Sequence, residues 1–515
     1  MKKLLYFSIF IFCFSCAKSQ TTFQKVMGGS DSEWANSIQQ TSDGGYILVG
    51  SKTTGSGVDS IDVYLVKTDQ NGDIVWSKTY GGPGKEDGYN VKQTTDGGYI
   101  IVGYTLTFGS NVYVLKTDSI GNLLWSHSYG GVNADQGMSI QETSDGGYTI
   151  LGTFPSTFSH IYLIKIDSLG ILLWNKIYDS STGEYGYSVE QTSDGGYVLI
   201  GITSDSGPGT YYNICIIKTD NNGNLLWSKS YGGTDYDYGF SIKETTGGYI
   251  VAGSTKSFGA GNLDVLLMKI DMNGLTIWAK TYGGIGIDQG KSVIKNSDGG
   301  YIIAGYTNSF DSIATNAYLI KTDSSGFVLW SKTYGINNGS SAASIAQTSD
   351  SGFIIAGATY SSVNLVDIYL IKTDINGNSG CYETNQLTIG NTVALNVNSL
   401  TTSVSSSGVQ INPSTITTVV IETTSTLCSA VGIEDPLNFS QILAYPNPSS
   451  GEFNFSGLGK SDKIEIFNIN GQLIYQAVSN NNIENVNISR KSKGLYFYRI
   501  TNEITIIQQG KIIIQ

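Results

Sequence analysis

The feature that most constrains this chain is a pentapeptide that returns seven times. Ser42-Asp43-Gly44-Gly45-Tyr46 recurs with its aromatic at Tyr99, Tyr148, Tyr197, Tyr249, Tyr301 and Phe353, giving seven copies spaced 49 to 53 residues apart. A fixed period of this size means that one supersecondary unit buries its apolar faces against copies of itself. A second marker, Lys67-Thr68-Asp69-Gln70-Asn71-Gly72, leads into Trp76-Ser77-Lys78-Thr79-Tyr80-Gly81-Gly82, and its tryptophan returns at Trp125, Trp174, Trp227, Trp278 and Trp330.

Each unit reads as four strands, a to d, which in the first unit run from Ser37 to Thr41, Tyr46 to Ser51, Asp62 to Thr68 and Ile74 to Tyr80. Asp-Gly-Gly between a and b, and Asp-x-Asn-Gly between c and d, accept the positive φ of tight hairpin turns. Strand b is apolar on both faces in Tyr46-Ile47-Leu48-Val49, which predicts burial between stacked sheets. Strand d alternates, as expected of an outer, half-solvated strand. Four-stranded units of this length are the signature of propeller blades.

The ends fix the count. The last unit passes through Asp374-Ile375-Asn376-Gly377 without a tryptophan strand, whereas Phe23-Gln24-Lys25-Val26-Met27-Gly28-Gly29 matches Trp-Ser-Lys-Thr-Tyr-Gly-Gly and has no a, b or c strand before it. The expectation is an all-β fold: a seven-bladed β-propeller over residues 22–380, closed by an N-terminal strand, which removes exposed edges. Residues 381–440 turn rich in Ser and Thr and read as a linker or a small β segment, with Thr417 to Glu422 strand-like. Cys381 and Cys428 flank this stretch and are a disulfide candidate in an oxidising compartment. Cys215, in Ile214-Cys215-Ile216-Ile217, reads as a small buried hydrophobe.

Residues 1–20 have the basic start and short apolar core of a signal peptide, too short to span a bilayer, so no transmembrane helix is expected in the mature chain. Cleavage after Ala17 or Gln20 competes with a lipoprotein reading at Cys16. With 42 acidic against 30 basic residues the formal net charge is −12, which argues against nucleic acid as a partner. The two histidines, His127 and His160, read as incidental surface residues, leaving little for zinc sites or His-based acid/base catalysis.

In the expected ring the b–c and d–a loops share one face, and only this face varies. Its b–c loops carry Phe108, Tyr211, Tyr212, Phe258 and Phe310. Aligning the d–a loops brings Glu33, Glu86, Asp135, Glu184, Asp237 and Asp288 to equivalent places before strand a, with Ser340 in the seventh unit. Six carboxylates around one mouth of a channel repel and need donors, water or cations. Two readings stay open: each accepts backbone N–H groups, or together they hold a cation, calcium being the one considered, or a basic or polyhydroxylated ligand. Asp69-Gln70-Asn71-Gly72 lacks the distal ligands of a calcium loop and reads as a hairpin turn. The Asp69, Gly72, Trp76 spacing is similar to blades of quinoprotein dehydrogenases, which implies an enzymatic alternative, yet no dedicated cofactor pocket stands out and no cofactor is expected.

The end of the chain carries four blocks in order: Ala444-Tyr445-Pro446-Asn447-Pro448-Ser449-Ser450-Gly451, Ile464 to Leu473 with Asn470-Gly471 as a turn, Lys493-Gly494-Leu495-Tyr496-Phe497-Tyr498-Arg499-Ile500, and Gly510-Lys511 before Ile512 to Ile514. Residues 441–515 thereby resemble the type A C-terminal sorting domain of the type IX (Por) secretion system. The resemblance implies a small β-sandwich read by the outer-membrane translocon, then cleaved before Ala444, and a secreted or cell-surface cargo. It says nothing about cargo activity. No catalytic constellation accompanies the repeat, so the expected function is a non-catalytic binding or adhesion module for a glycan or envelope protein. The alternative is a polysaccharide-active or quinoprotein-like enzyme.

Overall fold

A computed structural model describes residues 20–514 except 55–60, 108, 132–134, 156–157, 181–182, 205–210, 311–313, 336–338, 361–364, 408, 413–414, 421–422, 431–442, 446–448, 457, 469–471, 481–482 and 502–505. The signal segment with Cys16, the aromatic at Phe108, the Asn470-Gly471 turn and parts of the b–c loops therefore lie outside the described residues. The chain divides into two compact units, residues 1–431 and 432–515.

Among the described residues the first unit is all strand and turn, in seven five-stranded antiparallel sheets. Sheet 1 runs Glu33–Gln40, Tyr46–Thr53, Ile61–Thr68 and Ile74–Gly81, and sheets 2 to 6 repeat this order. Sheet 7 contributes Ser340–Gln347, Phe353–Tyr360 and Val366–Thr373, and its fourth strand is the N-terminal Thr22–Gly28, with Phe23 opposite Lys372 and Met27 opposite Ile368. Each sheet packs on the next and the seventh packs on the first; the seven first strands also contact one another in the same cyclic order. The arrangement is consistent with a β-propeller. Between sheets the second and third strands interdigitate as apolar layers, such as Ile47, Val49, Val63 and Leu65 of sheet 1 against Tyr99, Ile101, Tyr113 and Leu115 of sheet 2.

The hairpin chemistry follows the sequence. Gly72 takes φ +78°, and the Asp69 carboxylate accepts the Asn71 and Asp73 amides at 2.9 Å each, so its side chain is committed to its own turn. The repeated tyrosine of the fourth strand then clasps the neighbouring sheet. Tyr80 donates to the Gly121 carbonyl at 2.6 Å, and Tyr129, Tyr178, Tyr231, Tyr282 and Tyr334 make the same bond to Gly170, Gly223, Gly274, Gly326 and Gly377. At the remaining junction Met27 occupies the tyrosine position and this bond is missing, while Phe23 packs over Gly72 as Trp76 does over Gly121.

The fourth strand is not an outer strand, and this departs from the four-stranded unit read from sequence. Residues 383–430, expected as a linker or small separate segment, supply a fifth strand to every sheet. Glu383–Asn385 pairs with the fourth strand of sheet 6, Asn391–Thr392 with sheet 5, Asn396–Ser399 with sheet 4 and Ser403–Ser405 with sheet 3. Val409–Ile411 follows on sheet 2, Ile416–Val420 on sheet 1 and Thr423–Ala430 on the N-terminal strand. The segment is thus a belt that passes once around the outer edges, against the chain order of the sheets. It supplies partners to edge N–H and C=O groups that would otherwise face water. Cys381 and Cys428, with Cα atoms 6.1 Å apart, form a disulfide where the belt begins and ends, so a closed covalent loop encircles the seven sheets.

The second unit has two sheets. One contains Leu443–Tyr445, Glu452–Ser456 and Ile483–Asn487; the other is ordered Leu473–Val478, Lys463–Phe467, Gly494–Thr501 and Ile506–Ile514. Phe453, Phe455 and Val486 of the first share one core with Ile464, Ile466, Ile500 and Ile512 of the second.

Candidate functional site

The six equivalent carboxylates do not face an open channel mouth. Glu33, Glu86, Asp135, Asp237 and Asp288 are fully buried and Glu184 is 2% exposed, each at the start of a first strand where it meets the preceding sheet. Every such junction is built from three positions: the start of the third strand, the end of the fourth, and the start of the next first strand. The first position is Asp62, Asn111, His160, Asn213, Asp264, Asn316 or Asp367, cross-strand to Gly81, Gly130, Asp179, Gly232, Gly283, Gly335 or Gly28. Glycine leaves the polar groups room to converge. A Cβ on Gly81 would lie 2.0 Å from Asp62 Oδ1 and 2.8 Å from Glu86 Oε2, and one on Gly232 would lie 1.9 Å from Asn213 Oδ1 and 2.5 Å from Asp237 Oδ2.

Most of these carboxylates brace the turn that precedes them. Glu86 accepts from the Gly82 amide at 2.9 Å and the Thr105 hydroxyl at 2.7 Å; Asp135 accepts from Gly131 at 2.8 Å. Asp237 accepts from Gly233 and Ser257, both at 2.8 Å, and Asp288 from Gly284 at 2.8 Å and Ser309 at 2.6 Å. Glu33 pairs with Lys52. Ser340, the uncharged member, bonds Thr359 at 3.0 Å. Asp135 Oδ1, Asp237 Oδ1 and Asp288 Oδ1 are buried without a hydrogen-bond partner.

Burial therefore sets the protonation of this layer. It raises the Asp135 carboxyl to about 7 against the bond from Gly131, and the Asp62 carboxyl to about 6, with the Glu86 charge adding to the rise. Burial also raises Asp237 and Asp264, the latter with help from the Asp288 charge. A carboxyl whose folded pKa exceeds its unfolded value of about 3.9 binds its proton more tightly when folded, so stability falls as pH rises between the two. The hairpin carboxylates act in the opposite sense. Hydrogen bonds from Thr94, Lys116 and Gly98 outweigh partial burial and hold Asp96 at about 2; Asp145 and Asp194 are likewise at about 2. Their stabilisation is complete above about pH 4 and is lost as pH falls toward 2. The melting temperature is expected to peak near about pH 4 and to decline toward pH 7. Asp135→Asn should stabilise the chain at pH 8, by on the order of 1–3 kcal/mol, and leave it nearly unchanged at about pH 3, below the unfolded carboxyl value. Parallel pH profiles of thermal melts check this; an unaltered profile in the variant would contradict the assignment.

Variability is concentrated one step further in. Every first strand carries a β-bulge at the same place, between Ala35 and Ser37 in sheet 1 and between Gly239 and Ser241 in sheet 5. Such bulges re-aim a side chain. The bulged residues are Asn36, Tyr89, Met138, Tyr187, Phe240, Lys291 and Ala343. Three neighbours touch: Tyr187 meets Phe240 edge-on at 5.2 Å between ring centroids, and the Lys291 ammonium sits 3.7 Å from the Phe240 centroid. Burial pushes the Lys291 ammonium down to about 8. From Phe240 a ladder of rings continues outward, with Tyr238 stacked on Phe240 at 6.0 Å and Tyr236 on Tyr238 at 6.1 Å, the planes within 6° of parallel. Tyr212 packs against Tyr236 and Tyr238, Tyr211 against Tyr236, and Tyr185 against Tyr212. Tyr185 and Tyr211 are exposed by 38% and 40%.

Of the loop aromatics named from sequence, the structure brings Tyr211 and Tyr212 into this cluster. Phe310 packs on Tyr318 instead, with centroids 5.6 Å apart, and Phe258 lies beside Gly233. Tyr236, Tyr238, Phe240 and Lys291 escaped sequence reading, because only the register and bulge show which first-strand residues point inward. The histidines are a correction. His160 is buried, and His127 is half-buried and stacked on Trp125 at 5.0 Å. A polar residue at the start of a third strand is drawn under the next sheet, which sequence isolation does not reveal.

No helix among the described residues is long and apolar enough to cross a membrane. No curated protein matches the chain in sequence. Among solved structures the chain is similar to a protein of unknown function from Dyadobacter fermentans, 11% identical, with 69% of this chain and 99% of that chain covered and a TM-score of 0.41. It is also similar to Sqt1 from Chaetomium thermophilum at 12% identity, covering 66% and 82% with a TM-score of 0.38. PorZ, a surface component of the type-IX secretion system of Porphyromonas gingivalis, is 8% identical, with 95% and 100% covered and a TM-score of 0.18. At these scores none of the three carries a functional argument. Residues 443–515 match the secretion system C-terminal sorting domain, so the chain bears the tail of a type IX secretion cargo destined for the cell surface or release.

Proposed function

We propose that the first unit is a seven-bladed β-propeller closed by its N-terminal strand, that the tail is a small β-sandwich, and that the propeller works outside the cell as a non-catalytic module binding a polyhydroxylated ligand such as polysaccharide. The observation that carries the ligand class is the aromatic ladder of Tyr236, Tyr238 and Phe240 with Tyr185, Tyr211 and Tyr212 around it. A sugar ring has an apolar C–H face and a hydroxyl rim, and it matches rigid aromatic faces whose phenolic groups supply hydrogen bonds at the edge. Solvent-accessible tyrosines held by one another lose little conformational freedom on binding. The same amide bond from the residue four positions earlier, repeated at Glu86, Asp135, Glu184, Asp237 and Asp288, supports a bracing role for these carboxylates, since a catalytic pair is normally confined to one or two blades.

A glycan array run beside a polysaccharide-degradation assay tests this reading. Binding without turnover is expected, and Tyr238→Ala combined with Phe240→Ala should weaken it at least about tenfold, or roughly 1.4 kcal/mol, with the fold retained. Product formation, or binding indifferent to both substitutions, would overturn it.

A further inference from the structure

We propose that His160, Asp179 and Glu184 form a binding site for one divalent transition-metal ion, zinc by the chemistry of its donors. Glu184 is the repeat's own carboxylate, but nothing in the repeat requires His160 or Asp179. At the other six junctions the position of Asp179 is glycine, and the position of His160 is Asn or Asp. The junction between sheets 3 and 4 changes both at once, and among the described residues it alone brings a histidine and two carboxylates together.

The geometry points to a shared ion. His160 Nδ1 lies 3.4 Å from Asp179 Oδ1 and 3.3 Å from Glu184 Oε2, and the three ligand atoms are all within 4.8 Å of one another. A tetrahedral ion with bonds of about 2.0 to 2.1 Å holds its ligand atoms about 3.3 to 3.4 Å apart. One imidazole N–H satisfies one carboxylate oxygen well, whereas here two converge on a single ring nitrogen. An ion at their centre would bind all three and offset the repulsion of two acids in a buried place.

The surroundings fit as well. Glu184 Oε1 accepts the Ser180 amide at 3.2 Å and the Ser180 hydroxyl, which fixes the carboxylate and leaves Oε2 turned to the histidine. Outer contacts of this kind commonly orient metal ligands. His160 and Glu184 are buried, but the Asp179 side chain is 38% exposed, so the ion has an entry path and a side on which water completes its coordination. Imidazole with two carboxylates suits zinc, with cobalt as a spectroscopic substitute.

The test uses the full chain prepared without a histidine tag, incubated with Zn(II) and desalted. Elemental analysis should find about one zinc per chain. His160→Asn and Asp179→Gly install residues that sister junctions already carry, so both should fold with melting temperatures near that of the metal-free parent, and both should lose the ion. Added Zn(II) should raise the melting temperature of the parent and of neither variant, and Co(II) should give the parent alone a visible d–d band. A parent that retains no zinc, or variants that retain as much as the parent, would overturn the proposal; the second variant decides if the first fails to fold.

Discussion

Deletion of residues 20–29 should abolish the cooperative melt of the chain, because it removes a strand hydrogen-bonded on both sides. Thr22–Gly28 joins Val366–Thr373 on one edge and Thr423–Ala430 on the other, so its loss leaves two rows of unpaired backbone groups. Phe23 and Met27 are buried among Tyr46, Leu48 and Tyr64, and their removal opens a cavity between sheets 7 and 1. Lys25 lies 2.5 Å from Asp73, and Gln24 reaches Ser379 at 2.7 Å, so the strand also ties sheet 1 to the start of the belt. Phe23→Ala alone should cost about 3–5 kcal/mol, the range for truncating a buried aromatic. Deleting the strand should exceed that and approach the whole stability of a domain, on the order of 5–15 kcal/mol. Calorimetry of the two variants provides the measurement. A truncated chain that melts cooperatively within a few degrees of the parent would show that the ring closes without this strand.

That closing strand was legible because it repeats a motif. Phe23 to Gly29 carries the same Lys and Gly-Gly spacing as the internal copies at Trp76, Trp227 and Trp278, and a copy without its own hairpin partner must find one elsewhere. The sheets were legible for similar reasons, since the period, the turn glycines and the apolar second strand all specify the same unit. The belt was not. Its strands are two to eight residues long, and those on sheets 1 to 6 are largely exposed, as in Ile416–Val420, so no alternation of apolar and polar residues marks them. They bond along one edge to partners that lie as far away as Lys78 is from Val419, and local pattern carries no trace of that.

The site divides in the same way. Alignment of repeats found the six carboxylates, but it placed them at a mouth, because the glycines that draw them inward belong to the preceding sheet. The bulge residues are invisible until register is known: Phe240 and Lys291 stand at equivalent bulges in neighbouring sheets and 51 residues apart in sequence. A signal for the His160 cluster did exist. Asp179 breaks a run of glycines at one repeat position, and His160 breaks a run of Asn and Asp at another. Read singly they look incidental, and only the cross-strand pairing of the two positions makes them one event.

The disulfide should control how the belt opens. With Cys381 and Cys428 joined, a loop with a sequence separation of 47 surrounds all seven sheets, and it cannot leave them from a free end. Chain entropy alone gives such a crosslink about 4 kcal/mol over the reduced unfolded chain. Several belt strands are only two or three residues long and pair along one edge, and between them Val393, Leu395, Val397 and Leu400 pack on the inter-sheet cores. In Cys428→Ser the segment can peel back from Ala430 through sheet 1 and onward, one short register at a time. Local opening of the belt should then rise by up to about a thousandfold, the equivalent of those 4 kcal/mol, while the four inner strands of sheets 1 to 6 stay protected. Hydrogen exchange and limited proteolysis between residues 386 and 426 read this directly, and reduction of the parent should reproduce the variant. If the belt stays as protected in Cys428→Ser as in the parent, its strand pairing alone holds it, and the covalent loop is dispensable. If the inner strands open together with the belt, the seven sheets depend on being encircled, and the belt is part of the cooperative unit rather than a wrap around it.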